Sequence, residues 1–204
     1  MRQLPNIMTA SRVPCLFIIA ALIAWDTRWA ATIAFAVFML AAVTDYLDGW
    51  LARRLGVVSN FGKLMDALTD KILNVGLFIF LLVYPIGKPL LPTWCVFLVV
   101  VILVRELLIT GLRLVAASSR FILAAERSGK IKTVLQIFVI TLLLFVLAAR
   151  RDWGWDTPLI QHLHQAAYVA FGMATLLTVS SGAGYLVKYW HIFMGEPSPS
   201  DKAS

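Results

Sequence analysis

Asp45, Asp48, Asp66 and Asp70 stand inside stretches that are otherwise apolar. An ionised carboxylate at the centre of a bilayer costs about 2.5–3.5 kcal/mol even on the lenient insertion scale, so four of them need a compensating partner. Asp45 and Asp48 are three positions apart and Asp66 and Asp70 four, which sets each pair on one face of a helix. Gly49 and Ala52 continue the first face, and Gly62 lies one turn before Asp66. Small residues beside carboxylates let a backbone or a ligand approach closely. Two reliefs for the repulsion stay open: protonation of the carboxyls, or a divalent metal. Oxygen ligands with no histidine or cysteine nearby suit Mg²⁺ or Mn²⁺. A pair of such ions about 3.5–4 Å apart clamps a displacement at phosphorus. A lone intramembrane aspartate is often a packing hydrogen bond or a proton relay, whereas four at these offsets point to a site.

The elements that must carry them are helices. Six apolar segments, roughly residues 12–25, 30–55, 62–84, 92–117, 131–149 and 158–190, have the length of spanning helices and no period-two alternation. They predict an all-α integral membrane fold of six transmembrane helices with an amino-terminal cytoplasmic or interfacial segment. Gly172, Gly182 and Gly184 are expected to interrupt the last segment. Residues 54–60 read as a cytoplasmic turn. At 1.5 Å per residue, Asp45 lies about 13 Å and Asp70 about 15 Å from it, so the two pairs can face each other at matching depth. Residues 1–194 form one expected catalytic domain, and 195–204 a polar, disordered tail without a core-forming pattern. The first apolar run lacks a clear small-residue cleavage site, so no removable signal peptide is expected.

Composition agrees with a membrane protein. Of 204 residues, 60% are hydrophobic and 14% charged, against about 45–50% and about 25% in soluble domains. A soluble globule and a disordered chain are poor fits. Cys15 and Cys95 both lie in apolar runs, which argues against a disulfide framework or thiolate metal site. A formal charge of +7 would suggest nucleic acid in a soluble protein; here it reads as a basic face toward anionic lipid or phosphorylated substrate, with no nucleic-acid partner. With both termini inside, the cytoplasmic side carries eleven Lys and Arg residues and the other side four, Arg28, Lys88, Arg150 and Arg151. Trp25, Trp29, Trp94, Trp153 and Trp155 fall near the outer boundary, as an aromatic belt would. His162, His164 and His191 lack ligand spacing and are assigned to packing or the interface.

Residues 45–70, DYLDGWLARRLGVVSNFGKLMDALTD, fit D-x2-D-G-x2-A-R-x8-G-x3-D-x3-D at all eight fixed positions. This segment resembles the CDP-alcohol phosphotransferase family. The resemblance implies a six-helix membrane enzyme, usually a homodimer, with a polar cavity open to the cytoplasm and two divalent ions, Mg²⁺ or Mn²⁺, per active site. Such enzymes transfer a phosphatidyl or similar group from a CDP-linked donor to an alcohol and release CMP. Carried onto this chain, Asp45, Asp48 and Asp66 become metal ligands, and Asp70 a ligand and the general base. Asp48, Gly49, Ala52, Arg53 and Gly62 belong to the cytidine diphosphate site, where Arg53 can fork onto phosphate.

Three further stretches resemble one branch of that family, whose acceptor is glycerol 3-phosphate. They are LPNIMTASRVP with Asn6, Thr9 and Arg12, which join the nucleotide site; RELLITGLR; and GKIKT. A dianionic acceptor needs cations beyond those on the donor, and Arg105, Arg113, Lys130 and Lys132 supply them. Arg105 and Arg113 are eight residues apart, which returns them to within about 80° on a helix. Arg105 has a simpler reading as a partner of Glu106, and Lys71 is a candidate charge partner of Asp70, although its side chain leaves the helix about 100° away. The implied partners are CDP-diacylglycerol, glycerol 3-phosphate, membrane lipids and a second copy of the chain, in the inner (plasma) membrane with the active site cytoplasmic. Another alcohol acceptor (inositol phosphate, serine or phosphatidylglycerol), a cation- or proton-coupled transporter and a lipid-binding scaffold remain alternatives; visible inverted repeats and paired broken helices, which a transporter often has, are lacking.

Overall fold

The computed structural model describes residues 4–25, 27–55, 60–83, 90–118 and 127–193; in the helix ends next to residues 56–59 and 119–126, and at residues 4–11 and 190–193, this description covers mainly the backbone. It contains six helices: α1 Leu4–Ala24, α2 Ala30–Leu55, α3 Asn60–Val83, α4 Cys95–Ser118, α5 Arg127–Arg151 and α6 Pro158–Phe193. Among the described residues there is no strand. Each helix coincides with one of the six apolar segments. Residues 4–11 extend the first segment in one continuous helix, through Pro14.

Among the described residues three helices contain stretches long and apolar enough to cross a membrane: Cys95–Arg113, Ile131–Arg151 and Pro158–Tyr189. Arg12–Ala24 and Ala30–Asp45 are shorter apolar stretches. The outward faces are apolar as well. Phe97, Leu176 and Val187 are each more than 70% exposed, as suits a protein whose surroundings are lipid.

The helices run up and down around a closed ring in the order α1, α2, α5, α6, α4, α3 and back to α1, with α3 also touching α5. Pair contacts give the directions. Phe35 of α2 stacks edge-on against Phe145 of α5 while Thr32 meets Asp152, and Arg12 of α1 meets Asp45 of α2 while Ile23 and Thr32 both bond to residues 151–152, so both pairs are antiparallel. The α4 and α6 chains run parallel, since Trp94 meets Tyr168 and Arg105 meets Ser181. Between the helices lies one apolar core that includes Ile19, Phe38, Leu77, Phe78, Ile140, Leu143 and Phe171. Lipid supplies no hydrophobic drive between helices, so close packing and interhelical hydrogen bonds must hold them. Gly76 shows this: a Cβ there would stand 2.6 Å from Leu16 of α1.

One end of the bundle is clasped by α5. The Asp152 carboxylate accepts bonds from the Thr32 amide at 2.6 Å and the Thr32 hydroxyl at 2.7 Å, and so satisfies an orphan donor at the start of α2. Arg151 donates to the carbonyl oxygens of Ile23 at 2.9 Å and Trp25, at the end of α1. Trp153 packs against Phe145 and Trp155 at the same end. Asp152→Ala is expected to lower stability by about 1–3 kcal/mol, the scale of hydrogen bonds to a charged acceptor. Thermal unfolding of the purified variant in detergent checks this; an unchanged midpoint would rule out the clasp.

The expectation that glycines interrupt the last segment fails. Helix α6 continues through Gly172, Gly182 and Gly184, and its single non-helical residue is Tyr189 (φ −112°, ψ 16°). The free space at Gly182 is used instead for a neighbour, the Arg105 side chain.

Candidate active site

The four aspartates lie on two helices that both pack on α1. Asp45 on α2 forms an ion pair with Arg12 of α1, whose side chain is 10% exposed. Asp70 on α3 accepts a hydrogen bond of 3.2 Å from Nδ2 of Asn74, one turn on and buried. The helical backbone sets Asp48 one turn beyond Asp45 and Asp66 one turn before Asp70. The side chains of Asp48 and Asp66 lie outside the described residues, as do those of Asn6, Thr9, Gly49, Ala52, Arg53, Gly62 and Lys130; all nine sit on helical backbone. Among the described residues no group of three or more His, Cys, Asp or Glu comes together.

Arg105 and Arg113 both turn toward α6. Arg105 Nη2 donates to Ser181 Oγ at 2.9 Å. Arg113 lies over the Tyr185 ring, 5.4 Å from its centroid, and its Nε stands 3.4 Å from the hydroxyl. Lys132, at the start of α5, is 4% exposed and forms an ion pair with Glu106. Glu106 also receives Arg105 at 3.3 Å and Lys71 at 3.9 Å. Arg105 and Lys132 are thus brought together; Arg113 lies two turns further along α4.

Glu106 is what the reading of the residues undervalued. It is a carboxylate inside an apolar segment, the same signal that singled out the aspartates. Its neighbour Arg105 offered a local partner, which hid the lysines that reach it from α3 and α5. His164 is a packing residue: its Nε2 contacts the Leu90 carbonyl across the clasped end. Cys15 and Cys95 are free thiols.

An up-and-down helical ring, with paired aspartates on α2 and α3 and cations gathered between α3, α4, α5 and α6, defines a class. The chain matches the CDP-alcohol phosphatidyltransferase family over residues 2–190 and belongs to it. Among curated proteins it is similar to the CDP-diacylglycerol–glycerol-3-phosphate 3-phosphatidyltransferase of Bacillus subtilis, at 35% identity over 93% of this chain and 96% of that protein. It is also similar to the enzyme of the same name from Rickettsia typhi, at 30% identity over 91% of this chain and 96% of the relative. A probable phosphatidylglycerophosphate synthase of Mycobacterium tuberculosis is 37% identical over 91% of this chain and 81% of that protein.

Proposed function

We propose that this protein transfers the phosphatidyl group of CDP-diacylglycerol to the primary hydroxyl of sn-glycerol 3-phosphate, giving phosphatidylglycerophosphate and CMP. The observation that carries this reading is the similarity to enzymes bearing that name over more than nine-tenths of the chain. The donor set of Asp45, Asp48, Asp66 and Asp70 is all carboxylate oxygen and suits two divalent ions, Mg²⁺ or Mn²⁺. Ions held there would supply neutralisation of the charge on the donor diphosphate.

The protein's own residues do the rest. Arg53, with Asn6, Thr9, Arg12, Asp48, Gly49, Ala52 and Gly62, holds the cytidine diphosphate. Arg105, Arg113, Lys130 and Lys132 hold the acceptor phosphate. Asp70 takes the proton of the acceptor hydroxyl as its oxygen bonds to the phosphorus on the diacylglycerol side, and the bond from that phosphorus to CMP breaks. All six helices cross the inner membrane of a homodimer, with termini and site cytoplasmic. The excess of Lys and Arg in the loops on that side and the alternating helix directions support this placement.

The test is CMP release by purified protein in detergent, with acceptors supplied one at a time. Release is expected to require glycerol 3-phosphate, to stop on chelation of divalent metal, and to be lost in Asp66→Asn. Release with a different alcohol alone would keep the family and replace the acceptor. Metal passage across vesicles without CMP formation would favour a transporter.

A further inference from the structure

Glu106 is 6% exposed, and cations from three helices converge on it. Oε1 takes the Lys132 ammonium of α5 and Nη1 of Arg105, its neighbour on α4; Oε2 faces Nζ of Lys71 on α3. Helix α6 completes the frame. Ser181 accepts the other terminal nitrogen of Arg105 at 2.9 Å, and the missing side chain of Gly182 leaves room for the arginine stem, since a Cβ there would stand 2.7 Å from its Cγ. We infer that Glu106 is the positioning residue of the acceptor-phosphate site: it gathers Lys71, Arg105 and Lys132 around one point, and Ser181 fixes the far side of Arg105. This rests on the reading of the protein as a transferase to glycerol 3-phosphate.

Charge is the physical reason. Three cations in a poorly solvated interior repel one another, and a carboxylate between them offsets part of that repulsion. Glu106 cancels one of the three charges, so these four groups keep a formal +2. Asp70, whose field also reaches Lys132, is engaged by Asn74 and belongs to the metal-ligand set of the proposed mechanism. A phosphate monoester carries about −1.5 to −2 at neutral pH and complements such a gathering of cations. A neutral alcohol such as serine's hydroxymethyl group does not. Glu106 therefore holds three cations close together around one carboxylate, an arrangement that attracts an incoming dianion.

The experiment is steady-state kinetics of the full chain in detergent, with CDP-diacylglycerol and glycerol 3-phosphate varied separately. Loss of ground-state binding alone raises KM and spares kcat. Glu106→Gln is expected to raise the glycerol 3-phosphate KM about tenfold or more, with kcat and the CDP-diacylglycerol KM changed by less than about threefold. Glu106→Asp, which keeps the charge, should fall between the two. Ser181→Ala should raise the same KM by about three- to fivefold. If Glu106→Gln does not give monodisperse protein, Ser181→Ala decides, and an unchanged acceptor KM there overturns the inference. Equal shifts in both KM values, or a fall in kcat alone, overturn it while leaving the transferase reading intact. Wild-type release of CMP with no need for glycerol 3-phosphate overturns both.

Discussion

Asp70→Asn is expected to abolish turnover while leaving nucleotide binding largely intact. Asparagine has the shape of aspartate and keeps one carbonyl oxygen, so the Asn74 amide, 3.2 Å from Oδ1, retains an acceptor. What disappears is the ability to take a proton. Loss of a general base costs about 10²–10⁴-fold in rate, and the loss of a charge from the proposed metal-ligand set adds to it. The fall should therefore appear in single-turnover CMP release, whereas CDP-diacylglycerol affinity, measured by calorimetry in the same detergent, should stay within a few-fold. Near-normal turnover would remove Asp70 from the role of base. Loss of nucleotide binding together with turnover would make it a ligand first.

The second large effect is expected at Lys132. Its ammonium is buried against Glu106, so Lys132→Ala removes a cation from the proposed acceptor site and breaks a buried pair. Breaking such a pair outright costs about 3–5 kcal/mol, because a charge is left uncompensated. Here Glu106 keeps Arg105 at 3.3 Å and Lys71 at 3.9 Å, which places the stability loss at or below the lower end of that range. The acceptor KM should rise about 10- to 100-fold, equivalent to about 1.4–2.8 kcal/mol, with a smaller change in the CDP-diacylglycerol KM. Equal changes in the two would remove Lys132 from an acceptor site.

The six helices were legible because each apolar run is long enough for a helix and bounded by polar or Pro- and Gly-containing segments. Where α6 bends was not. Glycine weakens an isolated helix, but packing overrides that preference, and what Gly182 accommodates is a side chain 77 residues earlier in the chain. The aspartate motif was legible because its spacing is local, within 26 consecutive residues that include parts of two helices. The cation centre was not, since Lys71, Arg105, Glu106 and Lys132 come from three helices and only the tertiary arrangement brings them together. That Arg105 and Arg113 share one side of α4 followed from their spacing, but that this side faces α6 did not; Ser181 and Tyr185, which receive them, carried no sequence signal beyond a hydroxyl in an apolar helix.

Asp70 and Lys71 are consecutive in the chain but look into different surroundings, one bonded to Asn74 along α3 and the other reaching across to α4. Neighbouring side chains on a helix diverge by about 100° with a rise of 1.5 Å. A single peptide bond thus splices the surroundings proposed for the donor to those proposed for the acceptor. Any slide or roll of α3 moves both as one body, and their offset is held by covalent geometry where a contact between separate helices could drift. An insertion of one residue between them would turn one chamber about 100° away from the other, so this joint has little tolerance for a change in length.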